Sequence, residues 1–336
     1  MKLGSDGGLP IVEYEGEGWV GKLFGDTERF TPLNQPRAFA GTLREYQKFG
    51  FSWLSYLGET GFGCCLADDM GLGKTAQTIA MLLKRKEGGN SKGSSLVLCP
   101  TSVVSNWVHE FEKFGPDLKI MVHHGSERRH GKSFRNAAAE SDIVISTYAV
   151  LNRDILHLQK VAWDGIILDE AQNIKNESTK QSRNSKSLLA NYKIALTGTP
   201  VENRLSELKS ILDFLNPGYL GSTDKFVKEY SIPIEKFNDA ERMATLHRMV
   251  SPFILRRVKT DKHIISDLPE KNEMKVYCSI TKEQAALYEN TVADMMRRIE
   301  GTSGIERRGI VINAILKLKQ ILNHPAQFTK DLNLRW

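Results

Sequence analysis

The feature that most constrains the fold of this chain is a glycine-rich stretch between a short apolar run and a helical run. The apolar run covers residues 63–67, the stretch reads Asp68-Asp69-Met70-Gly71-Leu72-Gly73-Lys74-Thr75, and the helical run covers 76–84. A strand that turns sharply into a helix directs several backbone N–H groups at one point, beside the positive end of the helix dipole. Because this arrangement suits a polyphosphate, the sequence predicts a phosphate-binding loop.

Individual residues of the stretch support this prediction. Gly71 and Gly73 permit the backbone conformations and the close approach that such a turn requires. Lys74 can reach the terminal phosphates, and the Thr75 hydroxyl can ligate Mg²⁺. The strict pattern G-x-x-x-x-G-K-[ST] is not met, because Asp68 occupies the position of the first glycine. The alternative interpretation is a glycine turn with a solvated lysine.

Composition indicates an ordinary soluble globular protein of about two domains, since 40% of its 336 residues are hydrophobic and 26% are charged. The net charge of +6 favours an anionic partner, although a lysine-rich solvated surface would give the same excess. The sequence contains no signal peptide and no apolar run of membrane-spanning length, so we expect a cytoplasmic protein with no membrane partner. The four cysteines form no C-x-x-C pair, which indicates buried thiols in a reducing compartment.

Between residues 63 and 199, apolar strand-like runs alternate with helix-like or loop segments. Nearly continuous apolar runs are expected of parallel strands buried on both faces, and the alternation favours an α/β fold with a doubly wound parallel sheet. The predicted strands cover 64–67, 96–99, 120–123, 143–147, 166–169 and 194–197. Ligands of such sheets bind beyond the carboxyl ends of the strands, which is where the informative residues cluster.

The second informative strand end reads Ile166-Ile167-Leu168-Asp169-Glu170-Ala171-Gln172. An apolar strand that delivers two acids is the expected partner of a phosphate loop. Asp169 can hold the Mg²⁺ whose other ligand is Thr75, and Glu170 can polarise the attacking water. Without the loop, the same pattern is often only a strand end that turns into solvent. Together the two features predict nucleoside-triphosphate hydrolysis.

Three further strand ends carry hydroxyl groups. The run Thr197-Gly198-Thr199 before Pro200 can bond to the acid segment and report the nucleotide state, or it can simply form a tight turn. The loops that contain Thr101 and Ser102, and the loop that contains Thr147, can contact phosphate oxygens of a nucleic-acid backbone. A helix N-cap explains each of these two loops equally well.

Two other segments carry candidate binding residues. A helix predicted over residues 42–57 opens with a capping-box pattern and contains Gln47, whose amide can read a donor and an acceptor on an adenine edge, or can be merely solvated. The basic run with Arg256, Arg257, Lys259 and Lys262 can bind a phosphate backbone, which would make affinity fall with added salt. A solvated charged turn is the alternative.

Taken in order, these motifs resemble the N-terminal RecA-like lobe of a Swi/Snf-type DNA-dependent ATPase, in the superfamily 2 helicase-like group. The segments that carry the resemblance are 43–47, 68–75, 99–107, 146–148, 169–172 and 196–200, together with 251–257, 268–271 and 316–325 downstream. The resemblance covers residues 40–328. We expect a bacterial or archaeal source, because the chain has no long low-complexity insertion.

The resemblance implies ATP and Mg²⁺ as cofactors, with Lys74, Asp169 and Glu170 as the catalytic set and with Thr75 and Asp169 as metal ligands. Gln47 would contact adenine. The implied ATP-binding set is Gln47, Asp68, Asp69, Met70, Gly71, Leu72, Gly73, Lys74 and Thr75. The implied acid box and coupling set is Asp169, Glu170, Ala171, Gln172, Thr197, Gly198 and Thr199. The DNA-facing set is Thr101, Ser102 and Thr147, to which the charge pattern adds Arg256 and Arg257. Many family members carry histidine where this chain has Gln172, which leaves the coupling contact of this residue open.

The predicted organisation is a lead-in segment over 1–41, a RecA-like lobe 1 over 42–200 and a helical subdomain over 201–272. A strand over 273–280 is expected to return to the lobe 1 sheet, and a helical protrusion follows over 281–336. The family's second RecA-like lobe supplies arginines to the γ-phosphate, and we expect it to be absent from this chain. The chain alone should then be nearly inactive.

The function implied by the resemblance is a double-stranded DNA translocase that hydrolyses ATP to remodel protein–DNA complexes. Its partners would be double-stranded DNA, the second lobe and a protein–DNA complex of unknown identity, at the nucleoid if the source is prokaryotic. Two alternatives remain: the lobe of a strand-separating RNA or DNA helicase, and a non-catalytic DNA-binding or partner-binding module. The downstream family segments argue against the first, and the joint retention of Lys74, Thr75, Asp169 and Glu170 argues against the second.

Overall fold

A computed structural model describes residues 32–198, 204–260 and 274–330 of the chain. Thr199 and residues 1–31 of the predicted lead-in segment lie outside the described residues. The chain divides into two compact units, residues 1–268 and 269–336. The described part of the first unit is an α/β domain, and the described part of the second is helical. The finer domain boundaries expected from the sequence remain predictions.

The first unit is built on a seven-stranded sheet. Its strands are β1 (Cys64–Leu66), β2 (Ser95–Cys99), β3 (Ile120–His123), β4 (Ile143–Thr147), β5 (Trp163–Leu168), β6 (Ala190–Leu196) and β7 (Ile254–Leu255). The strand order is β3-β4-β2-β5-β6-β1-β7, and every pair of neighbours is parallel. Every residue of β1, β2, β4 and β5 is buried, as the apolar runs predict. The predicted doubly wound parallel sheet is confirmed.

Helices alternate with these strands. In the first unit they are α1 (Glu45–Glu59), α2 (Lys74–Glu87), α3 (Val104–Phe114), α4 (Gly131–Ala139), α5 (Tyr148–Leu158), α6 (Lys180–Ser187), α7 (Leu205–Leu215), α8 (Thr223–Phe226), α9 (Ile232–Phe237) and α10 (Ala240–Val250). A π-helical turn, Val227–Ser231, joins α8 to α9. Helix α1 begins three residues after the predicted start, because the Gln47 side chain, rather than a Glu45 side chain, accepts the hydrogen bond from the cap residue Arg44 at 3.0 Å.

All six strands predicted between residues 63 and 199 are present, and the neighbouring strands β5 and β6 begin several residues earlier than expected. β5 begins at Trp163 and β6 at Ala190, three and four residues before the predicted starts. The earlier residues include Asp164 and Asn191, which interrupt the apolar pattern. Asp164 is nevertheless buried, because it pairs with Arg85 at 3.2 Å and accepts a hydrogen bond from Asn191 at 3.0 Å.

The strand predicted over 273–280 is wrong. Residues 274–280 form neither helix nor strand, and their apolar side chains Met274, Val276 and Tyr277 are exposed. Alternating apolar residues form a strand only where a sheet edge receives them, and no strand pairs with this segment among the described residues. The edge position beside β1 is taken instead by β7, a two-residue strand directly before the predicted basic run.

The second unit contains a helical hairpin. Its helices are α11 (Lys282–Ile299), α12 (Gly304–Asn323) and α13 (Pro325–Thr329). Helix α11 has a capping box in which the Thr281 hydroxyl accepts from the Gln284 N–H at 3.2 Å. The helical character predicted for residues 281–336 is therefore present in the described part of this unit. No helix in the described ranges has the length and apolar character needed to span a membrane.

The sheet topology brings the predicted functional segments to one edge. Because all strands are parallel, their carboxyl ends share an edge of the sheet. Along that edge, β4 leads to the loop at Thr147, β2 to Thr101, β5 to Asp169, β6 to Thr197 and β1 to Asp68. These five strands are consecutive neighbours, so stretches far apart in sequence become adjacent.

Close packing of Tyr192 against Gly165 provides a test of this core. The two residues are in register across β5 and β6, and a Cβ on Gly165 would lie 2.0 Å from Cζ of Tyr192. We expect Gly165→Ala to lower the free energy of unfolding by about 1–3 kcal/mol, since the ring must move from a buried position. Urea denaturation measures this, with Ile166→Val as a control that removes one buried methyl group at about 0.5–1.5 kcal/mol. An unchanged midpoint for Gly165→Ala would contradict the packing.

Candidate functional site

The loop between β1 and α2 has the backbone conformation that a phosphate loop requires. Gly71 and Gly73 have φ values of 84° and 75°, which lie in the left-handed region that favours glycine. A Cβ on Gly73 would also lie 2.4 Å from Nε2 of Gln47. Leu72 is buried and packs on Tyr46 of α1, whereas Met70 is exposed. The glycines are therefore needed both for the turn and for the close approach of α1.

Helix α2 presents its N-terminus at this loop. Its cap residue is Gly73, which provides no side-chain acceptor for the N–H groups of the first turn. Lys74, the first helical residue, is half-buried and donates to the main-chain oxygens of Asp68 at 2.6 Å and Asp69 at 3.4 Å. Free N–H groups, the helix dipole and an ammonium group together favour an anion at this position.

The pKa of Lys74 reflects its surroundings. Burial lowers this pKa, and the carboxylates of Asp68, Glu170, Asp169 and Asp69 oppose that shift. Two of these acids belong to the loop and two follow β5. The phosphate loop and the acid pair, about a hundred residues apart in sequence, lie at the same edge of the sheet, after β1 and β5, which both flank β6. The effect of both pairs on one ammonium group is consistent with this arrangement.

The acid pair is held rigidly at the end of β5. The Asp169 carboxylate accepts the Glu170 N–H on Oδ1 at 2.9 Å and the Trp107 indole N–H on Oδ2 at 2.7 Å. Burial raises the pKa of Asp169, and the hydrogen bond from Trp107 opposes this rise. Glu170 has a φ of 49°, which for a residue other than glycine costs on the order of 1–2 kcal/mol. Backbone strain of this kind is typical of residues placed for function.

Gln172 connects the acid pair to the end of β6. Its Nε2 donates to Oε2 of Glu170 at 2.7 Å, and its Oε1 accepts from the Thr197 hydroxyl at 2.9 Å. The predicted bond between this strand end and the acid segment is therefore present, and glutamine can make it because one amide both donates and accepts. Ala171 is buried at the start of the 3₁₀ turn Ala171–Ile174. Gly198 lies close to Met70, since a Cβ on Gly198 would be 3.6 Å from Cγ of Met70.

Asp68, which replaces the first glycine of the strict loop pattern, is completely buried and pairs with Arg257. Arg257 Nε donates to Oδ1 at 2.9 Å, Nη2 donates to Oδ2, and the Arg257 main-chain N–H donates to Oδ1 at 3.2 Å. Gln77 Nε2 adds a bond to Oδ2 at 3.3 Å. The carboxylate thus has four donors, which is the arrangement that a buried charge requires.

The segment after β7 is bonded to the phosphate loop beyond this ion pair. The Asp69 N–H donates to the Arg257 carbonyl at 3.0 Å, and the Lys259 N–H donates to Oδ2 of Asp69 at 3.0 Å. Arg257 also bonds to the Tyr46 carbonyl and to Oε1 of Gln77 at 2.7 Å. Helix α1 comes this close because its Gly50 has no side chain: a Cβ there would lie 1.8 Å from Oε1 of Gln77.

The prediction that Arg257 binds a DNA backbone is corrected by these contacts. Its side chain is 4% exposed, and its guanidinium is bonded to Asp68, Gln77 and the Tyr46 carbonyl. A basic run in a sequence does not distinguish a solvated cation from one that neutralises a buried acid 189 residues away. Arg256, the preceding residue, is exposed and remains a candidate for phosphate contact.

Gln47 lies at the phosphate loop as predicted, but its amide is already bonded within the chain. Nε2 donates to the Leu72 carbonyl at 3.2 Å, and Oε1 accepts from the Arg44 N–H at 3.0 Å. To read an adenine edge, the amide would have to exchange these bonds for bonds to the base. Adenine contact by Gln47 remains a prediction.

The two hydroxyl-bearing loops predicted to face DNA differ in exposure. Thr101 and Ser102 are exposed in a 3₁₀ turn, Thr101–Val103, just before α3. Thr147 is buried, and its hydroxyl accepts from the Val150 N–H at 3.2 Å as the N-cap of α5. The N-cap interpretation therefore describes Thr147, and its side chain is not available to a DNA backbone.

The histidines near residue 123 belong to a separate cluster at the edge strand β3. His123 Nε2 lies 3.0 Å from Oδ2 of Asp154, which also accepts from Arg128 Nε at 2.7 Å. Burial lowers the pKa of His123, and hydrogen bonding to Asp154 opposes this. The part of the chain that the structure describes contains no group of three metal-ligating His, Cys, Asp or Glu residues.

Cys64, Cys65 and Cys99 are buried, but Cys278 is exposed, contrary to the expectation for this thiol.

The residues at the phosphate loop fit a magnesium ion. Thr75 offers a hydroxyl oxygen in the first turn of α2, and Asp169 and Glu170 offer carboxylate oxygens after β5, which lies two strands from β1 in the sheet. Mg²⁺ prefers oxygen ligands and binds through one or two carboxylates together with substrate phosphates, so this donor set suits it. Thr75 and Asp169 are the residues that would hold the ion.

Comparison with known proteins agrees with this geometry. A model of the SNF2-related domain matches residues 46–327. The chain belongs to the SNF2-related domain family. The Bacillus subtilis protein YwqA, provisionally named an ATP-dependent helicase/translocase, is 47% identical over 294 residues, which are 88% of this chain and 32% of that protein. The chromatin-remodelling ATPase INO80 of Vanderwaltozyma polyspora is 36% identical over 319 residues, 89% of this chain and 20% of that protein.

A solved structure extends the comparison to the fold. The SWI2/SNF2 ATPase core of Sulfolobus solfataricus, solved in complex with double-stranded DNA, is 46% identical and superposes with a TM-score of 0.67. The match covers 90% of this chain and 62% of that one. The fold is therefore the RecA-like fold of SNF2 ATPase cores, as the resemblance implied. The chain spans about a third of the length of the bacterial relative, and identities are higher to the bacterial and archaeal proteins than to the yeast protein.

Sequence reasoning missed three contributors to this SNF2-family site. Arg257 neutralises Asp68, the Trp107 indole N–H donates to Asp169, and the Tyr148 hydroxyl donates to the main-chain oxygen of Asp169 at 2.7 Å. A signal existed for the last two, since Trp107 ends the family-like segment 99–107 and Tyr148 directly follows Thr147. For Arg257 the signal was Asp68, which stands in the position of a glycine. A carboxylate that is buried at this position requires a cationic partner elsewhere in the chain.

The Asp68–Arg257 pair yields a stability prediction. We expect Arg257→Met to lower the free energy of unfolding by about 3–5 kcal/mol, because it leaves the Asp68 carboxylate buried without its cation. The matched control is Arg256→Met, which alters an exposed neighbour and should change stability by no more than about 0.5 kcal/mol. Urea denaturation of the two variants measures the difference. Equal midpoints would contradict the assignment of Arg257 as the partner of a buried charge.

Proposed function

We propose that this chain is the ATP-binding lobe of a Swi/Snf-type motor, which hydrolyses ATP and moves along double-stranded DNA to remodel protein–DNA complexes. The observation that carries the proposal is that the phosphate loop with Lys74 and the acid pair follow β1 and β5 at one edge of the sheet. Membership of the SNF2-related domain family supports the same assignment. A motor of this kind in a prokaryotic cell would act in the cytoplasm, at the nucleoid.

The side chains of the phosphate loop and of the acid segment would have separate roles in ATP hydrolysis. Lys74 and the free N–H groups of the first turn of α2 would bind the phosphate oxygens. The Lys74 ammonium group would then donate its hydrogen bonds to these oxygens instead of to the carbonyls of Asp68 and Asp69. Gln172 holds one oxygen of Glu170, and a carboxylate fixed in this way can orient the attacking water. Mg²⁺, when bound by Thr75 and Asp169, would neutralise charge that develops on the phosphates.

Contact with DNA is supported by the position of exposed groups and by a relative. Thr101 and Ser102 lie on the same sheet edge as the nucleotide site, and Arg256 is exposed after β7. The Sulfolobus core was solved with double-stranded DNA, and the name of INO80 assigns that protein to chromatin remodelling. By extension, duplex DNA is the partner of this lobe and a protein–DNA complex is its target.

Full activity would require a second RecA-like lobe. The relatives are much longer than the region that this chain matches, and the family's second lobe brings arginines to the γ-phosphate. An arginine supplied in this way contributes about 10³–10⁵ in rate in comparable triphosphatases. The 336-residue chain by itself should therefore hydrolyse ATP slowly.

The test is the ATPase rate of the full-length protein with and without duplex DNA. We expect duplex to stimulate turnover, and Lys74→Ala to lower stimulated turnover by about 100-fold or more, since it removes an electrostatic contact to the reacting phosphates. The matched control is Lys84→Ala, which removes a lysine further along the same helix and should leave the rate unchanged. Unchanged hydrolysis in Lys74→Ala would overturn the phosphate-loop assignment.

Other results of the same experiment decide between neighbouring proposals. Stimulation by single-stranded RNA but not by duplex DNA, together with strand displacement, would support the helicase alternative. Absence of hydrolysis in the full-length protein, with intact DNA binding, would support the non-catalytic module. DNA-stimulated turnover of the 336-residue chain equal to that of the full-length protein would contradict the need for a second lobe.

A further inference from the structure

Two aromatic side chains from different loops converge on Asp169. The Trp107 indole N–H donates to Oδ2 of its carboxylate at 2.7 Å, and the Tyr148 hydroxyl donates to its main-chain oxygen at 2.7 Å. These residues lie 62 and 21 positions before Asp169 in the sequence. One therefore fixes the carboxylate, and the other fixes the backbone that carries it.

Trp107 follows a loop that is proposed to contact DNA, and Tyr148 begins the helix after the neighbouring strand β4. Trp107 is on α3, one turn after the exposed residues Thr101 and Ser102. Tyr148 is the first residue of α5 and follows Thr147 at the end of β4. Because β4, β2 and β5 are neighbours, these loops and Asp169 occupy three consecutive positions along one edge of the sheet.

Both aromatic residues are enclosed, so movement of their helices would be transmitted rather than absorbed. Trp107 and Tyr148 are 1% and 4% exposed, and Trp107 packs on Phe111 of the same helix with ring centroids 5.6 Å apart. Protein interiors are close-packed, and a packed side chain moves with the element that bears it. A shift of α3 on DNA contact would therefore move the Asp169 carboxylate, while Tyr148 holds the main chain that carries it.

The geometry of Asp169 makes such a shift matter for hydrolysis. Its Oδ1 is bonded to the Glu170 N–H at 2.9 Å, and within the described residues Oδ2 is oriented by the bond from Trp107. A displacement of about 1 Å in a catalytic group can cost about 10²-fold in rate. A DNA contact at Thr101 or Ser102 would in this way bring the carboxylate into, or out of, its working position.

We propose that Trp107 and Tyr148 are positioning residues through which DNA binding at the loop before α3 is transmitted to Asp169 and so regulates hydrolysis. This inference rests on the proposed function. A purely structural role would have a different consequence. If Trp107 and Tyr148 only stabilised the core, their loss would reduce the ATPase rate equally with and without DNA. In this proposal, neither Trp107 nor Tyr148 contacts the nucleotide.

The test uses Trp107→Phe and Tyr148→Phe in the full-length protein, because each keeps an aromatic ring and removes only the donor. The structure offers matched controls at distant positions. Trp163 is a buried indole that donates to the Leu158 carbonyl at 2.9 Å, and Tyr192 is a buried phenol bonded to Ser95 at 2.8 Å. Trp163→Phe and Tyr192→Phe therefore remove the same kind of hydrogen bond without touching Asp169.

The measured quantity is the ratio of the ATPase rate at saturating duplex to the rate without DNA. We expect this ratio to fall by at least about tenfold in Trp107→Phe and Tyr148→Phe, and to stay within about twofold of wild type in the controls. Duplex affinity, measured by fluorescence anisotropy, should be unchanged in all four variants. Thermal unfolding confirms that each variant is folded at the assay temperature.

A second measurement uses linkage and does not depend on turnover. If DNA binding and the nucleotide site are coupled, duplex must change the dissociation constant of Mg-ADP, and nucleotide must change that of duplex by the same factor. We expect this factor to approach one in Trp107→Phe and Tyr148→Phe, and to keep its wild-type value in the controls.

An unchanged ratio and an unchanged coupling factor in both variants would overturn the proposal. So would a fall in rate that is equal with and without DNA, because that is the mark of a structural role. Failure of the proposed function is distinguishable, since it would appear in the wild type as an absence of hydrolysis or of stimulation by duplex. That result would remove the basis of the present inference as well.

Discussion

The buried ion pair between Asp68 and Arg257 connects the phosphate loop to the strand that ends the sheet. Asp68 has no exposed surface, so its charge is tolerable only because the guanidinium, a main-chain N–H and the Gln77 amide all bond to it. The same guanidinium reaches the Tyr46 carbonyl of α1. Three segments distant in sequence, near residues 46, 68 and 257, are thereby held around one loop. The glycine of the usual pattern could not provide this connection.

The parallel sheet supplies the second constraint. Since every strand runs in the same direction, the loops that follow β4, β2, β5, β6 and β1 lie side by side at one edge. Hydrogen bonds then join neighbours along that edge: Trp107 and Tyr148 to Asp169, and Thr197 through Gln172 to Glu170. The acid pair is thus bonded on both sides. A glutamine performs this bridging role where many family members carry histidine, and its amide provides the donor and the acceptor that the position requires.

The parts of this arrangement that depend on local patterns could be predicted from the sequence, whereas the parts that depend on long-range contacts could not. Buried parallel strands leave continuous apolar runs, and a phosphate loop needs glycines and a lysine at fixed spacing, so both patterns are local. The partner of Asp68 lies 189 residues away, and the partner of Asp169 at Trp107 lies 62 residues away. The segment 273–280 has the alternation of a strand but no sheet edge to pair with among the described residues. The role of Thr147 could not be decided from the sequence either. A hydroxyl group after a strand can cap a helix or bind a ligand, and only its burial distinguishes the two roles.

The central claim is that the loop over residues 68–75 receives the phosphates of a nucleotide, and hydrogen exchange of its main-chain N–H groups tests this most directly. The 336-residue chain is compared in the presence and absence of saturating Mg-ADP. The account predicts slower exchange in the loop and the first turn of α2, and also in the segment after β7, because Arg257 and Lys259 are bonded to the loop. The helical hairpin of the second unit is an internal reference that should not change. Unaltered exchange over 68–75 while nucleotide is bound elsewhere would contradict the account.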